Sequence, residues 1–184
     1  MQKYRIPNDC VLVLFAPTFR TDKNTNVYFN SSQIIETFSS ITHKKCLLLT
    51  RLHPAVSDQE IPEELETDYK KGVINVTSYP DIQELLAISD FLITDYSSVS
   101  TEFLIQKKAC FLYVPDLNTF DRGLYFDPKD LPYSISETFD DLILNIQCHN
   151  NEVYNKEIEM FSEMIGLCEK GTACKSVYEY IKEN

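Results

Sequence analysis

The sequence predicts an α/β domain built on a parallel sheet. Three observations carry that prediction. Continuous apolar runs at 11–16, 46–50 and 91–93 lack polar alternation, as strands buried on both faces require. Amphipathic segments of helical period separate the runs, which implies right-handed crossovers between parallel strands. Only four glycines occur in 184 residues, too few for a repetitive all-β fold rich in tight turns.

Residues 1–9 form a polar lead-in that ends in Pro-Asn-Asp, a turn signal. VLVLFA at 11–16 is the first buried strand; Pro17 ends it, and Thr18, Phe19 and Arg20 begin a loop at its carboxyl end. Ser31 and Ser32 are expected to cap a helix over 33–41, with Ile34, Ile35, Phe38 and Ile41 as its apolar stripe. The second strand is 46–50, followed by Arg51, Leu52, His53 and Pro54. The acidic stretch 55–71 has poor periodicity and reads as an excursion loop or short helix.

A third short strand falls at 73–76, and Asp81 is placed to cap a helix reaching Ile88. The stretch 89–103, SDFLITDYSSVSTEF, then passes from a strand through small hydroxyl residues into a helix carrying Val99, Phe103 and Leu104 on one face. The next strand is 109–114, ended by Pro115-Asp116. Residues 118–132 are aromatic and charged and fit neither period; long ordered loops of this kind are often functional. A helical pattern starts at Ser136 and runs through Phe139, Leu142, Ile143 and Ile146. Two more helices, 151–167 and 172–181, are separated by Gly171. The expected organisation is one domain over 1–184, with 151–184 as a helical tail.

The net charge of −11 argues against broad binding to nucleic acid or anionic lipid, so no nucleic-acid partner is expected; a local basic pocket for one phosphorylated ligand remains compatible. None of the six cysteines forms a CxxC pair, and Cys10, Cys46 and Cys110 sit in or beside apolar runs, where a thiol behaves as a small hydrophobe. Free thiols and the absence of an apolar leader core in MQKYRIPNDC predict a cytoplasmic chain. The longest apolar run, 11–16, is far too short to span a bilayer.

Ligands of open parallel sheets bind outside the carboxyl ends of the strands. Thr18 and Arg20 follow the first strand, Arg51 and His53 the second, and Asp95, Ser97 and Ser98 the fourth, so three strand ends converge on one rim. A helix start among hydroxyls presents free N–H groups to a phosphate, though Ser97 with Thr101 and Glu102 also fits an ordinary cap. His53, between Arg51 and Pro54, is the candidate for a phosphate contact or proton donor. Arg122 suits bidentate phosphate recognition or a salt bridge to Asp121 or Asp127. Tyr96, Tyr113, Tyr125 and Phe126 suit either a base stack or the core, and His43 and His149 are expected on the surface. Neither a dinucleotide fingerprint nor a P-loop is present, and no metal-ligand constellation stands out; no metal or cofactor is expected.

At these residues the sequence resembles the CDP-glycerol glycerophosphotransferases, the bacterial teichoic-acid and capsule polymerases. APTFR (16–20), RLHP (51–54), SDFLITDYSSV (89–99) and DRGLYFD (121–127) occur in that family's order. The resemblance implies the C-terminal half of a GT-B-type architecture: a Rossmann-like parallel sheet with helices on both faces. It implies CDP-glycerol or a related CDP-alcohol as ligand and transfer of glycerol phosphate to a polymer, with CMP leaving. His53 would be catalytic; Thr18, Arg20, Arg51, Asp95, Ser97, Ser98, Arg122 and Glu137 would surround the donor. An acceptor-binding domain or subunit is the expected partner, and the docking face for it also invites a homodimer. The expected location includes the inner face of the cell membrane, although no basic amphipathic helix is evident. Where the family carries Gly-Pro after the DRGLYFD loop, this chain has Tyr133-Ser134, close to the pocket expected around Ser136 and Glu137. The alternative readings are a GT-B half that uses a nucleotide sugar, and a silent remnant serving as an interaction domain.

Overall fold

A computed structural model describes residues 6–7, 9–19, 28–53, 61–120 and 126–183. Arg20, Pro54, Arg122 and Tyr125 lie outside the described residues.

Six parallel strands form one sheet: β1 (Val11–Phe15), β2 (Cys46–Thr50), β3 (Val73–Asn75), β4 (Phe91–Thr94), β5 (Cys110–Tyr113) and β6 (Ser134–Ser136). Their order is β3-β2-β1-β4-β5-β6, so the chain steps outward from β1 in one direction and returns to the other side through β4. That reversal is the Rossmann-like arrangement, and it opens a crevice between the loops after β1 and β4. The central strands are buried along their whole length, which is why they read as apolar runs without alternation.

Helix α1 (Ser31–Thr42) links β1 to β2, and α4 (Phe139–Gln147) packs against it after β6. Helices α2 (Ile82–Ile88) and α3 (Val99–Leu104) lead in the opposite direction across the sheet, to β4 and β5. Right-handed crossovers therefore put α1 and α2 on opposite faces. Phe38 of α1 is fully buried against Phe91 and Phe111, with ring centroids 4.7 and 6.0 Å away. Helix α5 (Asn151–Met164) buries Tyr154, Ile158 and Phe161, whereas α6 (Ala173–Glu183) buries none of its residues.

Two expectations change. The cap of α1 is Asn30, whose side chain accepts from Gln33 N–H at 3.0 Å; Ser31 and Ser32 already belong to the helix. Ser136 ends a strand instead of starting a helix, and Thr138 caps α4 in a capping box with Asp141. The excursion 55–71 contains a 3-10 turn, Glu63–Leu65, among its described part. Tyr133, where the family has Gly-Pro, is buried and donates through its hydroxyl to Ser100 O at 2.9 Å, pinning the entry to β6 against α3.

Candidate functional site at the carboxyl rim

The strand register sets the rim. Phe15 pairs with Thr50 on one side and Ile93 on the other, while Thr94 pairs with Leu112 and Tyr113 with Ser136. The residues after these positions therefore emerge on a single edge. Thr18, Arg51, His53, Asp95, Ser97 and Ser98 all belong to it, as does Glu137, which is exposed just beyond β6. A sixth strand, unforeseen from the sequence, is what brings Glu137 to this edge.

The centre of the rim is a joint between β1 and β4. Asp95 is only 4% exposed, and its carboxylate accepts from Thr18 N–H at 2.9 Å and from the Thr18 hydroxyl at 2.6 Å. One residue earlier, the Thr94 hydroxyl donates to Ala16 O at 2.7 Å. Burying a carboxylate is tolerable only where donors surround it, and here Thr18 supplies them. Within the described residues, Asp95 shapes the crevice wall by holding the loop after β1.

Arg51 anchors the second strand end, its N–H donating to Phe15 O at 2.8 Å. Its Nε is buried and has no hydrogen-bond partner among the described residues. Burial lowers the guanidinium pKa, and the nearby Asp81 carboxylate opposes that shift. Asp81 caps α2, accepting from Gln83 N–H at 2.8 Å, so Arg51 lies by a helix start that itself favours anions. His53 is exposed, with its ring 5.6 Å from that of Phe19.

The start of α3 is only partly capped. Ser98 makes no side-chain cap, and Ser97 Oγ accepts from Val99 N–H at a long 3.5 Å. The Glu102 carboxylate accepts from the side-chain amide of Gln83. The N–H groups of Ser100, Thr101 and Glu102 donate to the carbonyls of Ser97 and Ser98, so the turn is closed by backbone bonds and only weakly by side chains.

The aromatic candidates divide. Tyr96 stacks on Phe120 at 3.6 Å and donates to Asp116 at 3.1 Å, joining the loops after β4 and β5. Tyr113 is core: it is 4% exposed and donates to Tyr28 O at 2.6 Å. Phe126 packs edge-on to Phe161. His149, expected on the surface, is half-buried between Phe111 and Tyr154, with ring centroids 5.4 and 5.2 Å away. Thr77, whose hydroxyl accepts from Leu52 N–H at 3.0 Å, and Phe120 join the rim without any periodic signal in the sequence.

The fold and this rim define the class: a Rossmann-like α/β domain whose ligand edge, by the rule for open parallel sheets, is the carboxyl rim. The chain belongs to the CDP-glycerol:poly(glycerophosphate) glycerophosphotransferase family, whose model matches residues 1–183. It is 31% identical over 185 residues to the teichoic acid poly(glycerol phosphate) polymerase of Bacillus spizizenii, covering 97% of this chain and 46% of that protein. It is 32% identical over 189 residues to the teichoic acid glycerol-phosphate transferase of Staphylococcus aureus, at 97% and 47% coverage. A teichoic acid ribitol-phosphate primase of Bacillus spizizenii is 30% identical over 173 residues, at 92% and 43%. The solved structure of the wall teichoic acid polymerase TagF superimposes with a TM-score of 0.76 at 25% identity, covering 99% of this chain and 45% of that one. A variant of TagF soaked with CDPG superimposes with a TM-score of 0.72 at 25% identity, at 99% and 43% coverage. The chain thus spans slightly under half the length of each of these relatives. Among the described residues, no helix is long and apolar enough to cross a membrane.

Proposed function

We propose that residues 1–184 form the donor-binding domain of a CDP-glycerol glycerophosphotransferase, with 151–184 as a helical tail. The donor's pyrophosphate lies along the rim, against Arg51 and the start of α3 at Ser97 and Ser98. His53 neutralises or protonates the departing CMP phosphate. Asp95 and Thr18 hold the crevice open beside it. Arg20, Arg122 and Glu137 complete the donor pocket, and no metal is required. One coincidence supports this reading: Thr18 of APTFR, Arg51 and His53 of RLHP, and Asp95 to Ser98 of SDFLITDYSSV, from three motifs carrying the family resemblance, follow different strands yet meet at one edge. The acceptor polymer, of teichoic-acid or capsular type, and the general base belong to a second domain or subunit that docks over the crevice. By itself the chain binds CDP-glycerol and turns it over poorly or not at all. It works in the cytoplasm, at the inner face of the membrane.

Isothermal titration of the folded chain with CDP-glycerol tests this directly. Saturable heat that CMP competes away is expected. Silence at millimolar ligand, with the protein folded, would sink the proposal. A ribitol-phosphate primase stands among the relatives, so CDP-ribitol and a UDP-sugar belong in the same competition. A preference for the UDP-sugar would favour a nucleotide-sugar transferase instead.

A further inference from the structure

Beside the rim lies a cavity of about 420 Å³, within the usual range for small-molecule sites. One side is the start of α1, the other the stretch around the 3-10 turn Glu63–Leu65. The donor reading uses none of its lining residues.

The helix side offers donors. Ser31 lines the cavity and is only 4% exposed, and its hydroxyl bonds to no other described residue. Asn30 satisfies Gln33 N–H, which leaves the N–H groups of Ser31 and Ser32 without intrahelical partners. The opposite side offers acceptors: Glu63, Glu64, Glu66 and Asp68 line it, while the first turn of α1 carries no acidic residue. Lys71 sits within 3.9 Å of Asp68 and offsets only part of that charge. An aromatic wall completes the cavity. Tyr28 is 62% exposed, yet its place is fixed: its ring meets Phe139 edge-on at 5.2 Å and its carbonyl accepts from the Tyr113 hydroxyl.

We infer that this cavity binds a neutral polyhydroxylated ligand, a sugar ring or an alditol. Phosphate would meet four carboxylates. A bare cation would face the positive end of a helix, and among the described residues no His, Cys, Asp and Glu grouping suits a metal. A hydroxyl both donates and accepts, so a polyol satisfies both walls at once, with its C–H face resting on Tyr28. The cavity's chemistry stands apart from the donor rim and would remain if CDP-glycerol failed to bind.

The test is an amide-shift titration of the isotope-labelled 184-residue chain with ribitol, using inorganic phosphate and calcium as comparison probes. Saturable shifts at Ser31, Ser32 and Thr67 are expected with ribitol alone. Ser31→Ala and Tyr28→Ala should each weaken binding by about fivefold, the size of one lost neutral hydrogen bond or a lost apolar face. Ser31→Ala keeps the Asn30 cap, so it decides the matter if Tyr28→Ala fails to fold. No saturable shift, an unchanged affinity in Ser31→Ala, or a stronger response to calcium or phosphate would each overturn the inference.

Discussion

At its amino end, β4 is tied to β1 by Asp90, whose N–H donates to Leu12 O at 2.8 Å while its carboxylate accepts from Leu12 N–H at 2.9 Å. At its carboxyl end, the same two strands are tied by Asp95 and Thr18. The surroundings differ. At the amino edge Lys108 donates to Ala87 O and Ser89 O, and Tyr154 both donates to Lys108 O and accepts from Cys110 N–H. At the carboxyl edge Arg51 Nε is buried without a partner among the described residues, and the Ser98 side chain makes no cap bond. One edge is closed by its own bonds; the other keeps hydrogen-bonding capacity in reserve. Unused capacity at one end of an otherwise satisfied sheet calls for a partner, and the proposed donor would supply one.

The largest effect tests the two aspartates against each other. Asp95→Ala leaves a half-buried N–H and hydroxyl of Thr18 without their acceptor and should cost about 3 kcal/mol. Asp90 is exposed, so water replaces its carboxylate, and Asp90→Ala should cost less than about 1 kcal/mol. Urea denaturation of both variants measures this; equal losses would erase the distinction between the edges. Next comes Arg51→Met, which keeps the apolar stem and removes the unpartnered Nε. Stability should hold or rise by up to about 1 kcal/mol, while CDP-glycerol affinity falls about tenfold. A destabilised variant with normal affinity would make Arg51 a structural residue.

The smallest effect draws on both edges equally. Burial raises the thiol of Cys46, which begins β2, from 9.0 to about 12. Burial, and then Tyr28, raises Tyr113, which ends β5, from 10.0 to about 12. In both cases the fold favours the neutral form, so the unfolded chain ionises first. The stabilising contribution is therefore complete below pH 9 and is lost as pH rises from there towards 12. Melting temperatures should be flat from pH 7 to 8.5 and fall beyond; a rise above pH 9 would contradict the assignment.

Strands β1 to β5 were legible, the central ones because burial on both faces demands uninterrupted apolar residues, and VLVLF or CLLLT admits little else. Ser134–Ser136 was not legible: three residues with one apolar side chain, held at an edge by β5 and by Asn145, carry no period of their own. The cap of α1 was misplaced by a residue because Asn30 and Ser31 are both good caps, and only the backbone decides between them. At the site, the residues following each strand were predictable from the parallel topology. The contacts among them were not. Thr18 and Asp95 are 77 residues apart, and nothing local to either marks the other. His149 shows the converse, a residue with no motif context drawn into an aromatic cluster by tertiary packing.

The strand order has a consequence for the life of the chain. Because β1 waits for β4, the central joint of the carboxyl rim cannot exist until about half of the chain has been made and the two segments have met. Such long-range closure is slow and comes late in folding. A molecule that grips this edge therefore bridges the sheet's most distant pairing, and by mass action it opposes the parting of the two segments. A cell short of that ligand would hold a chain that opens sooner along this seam.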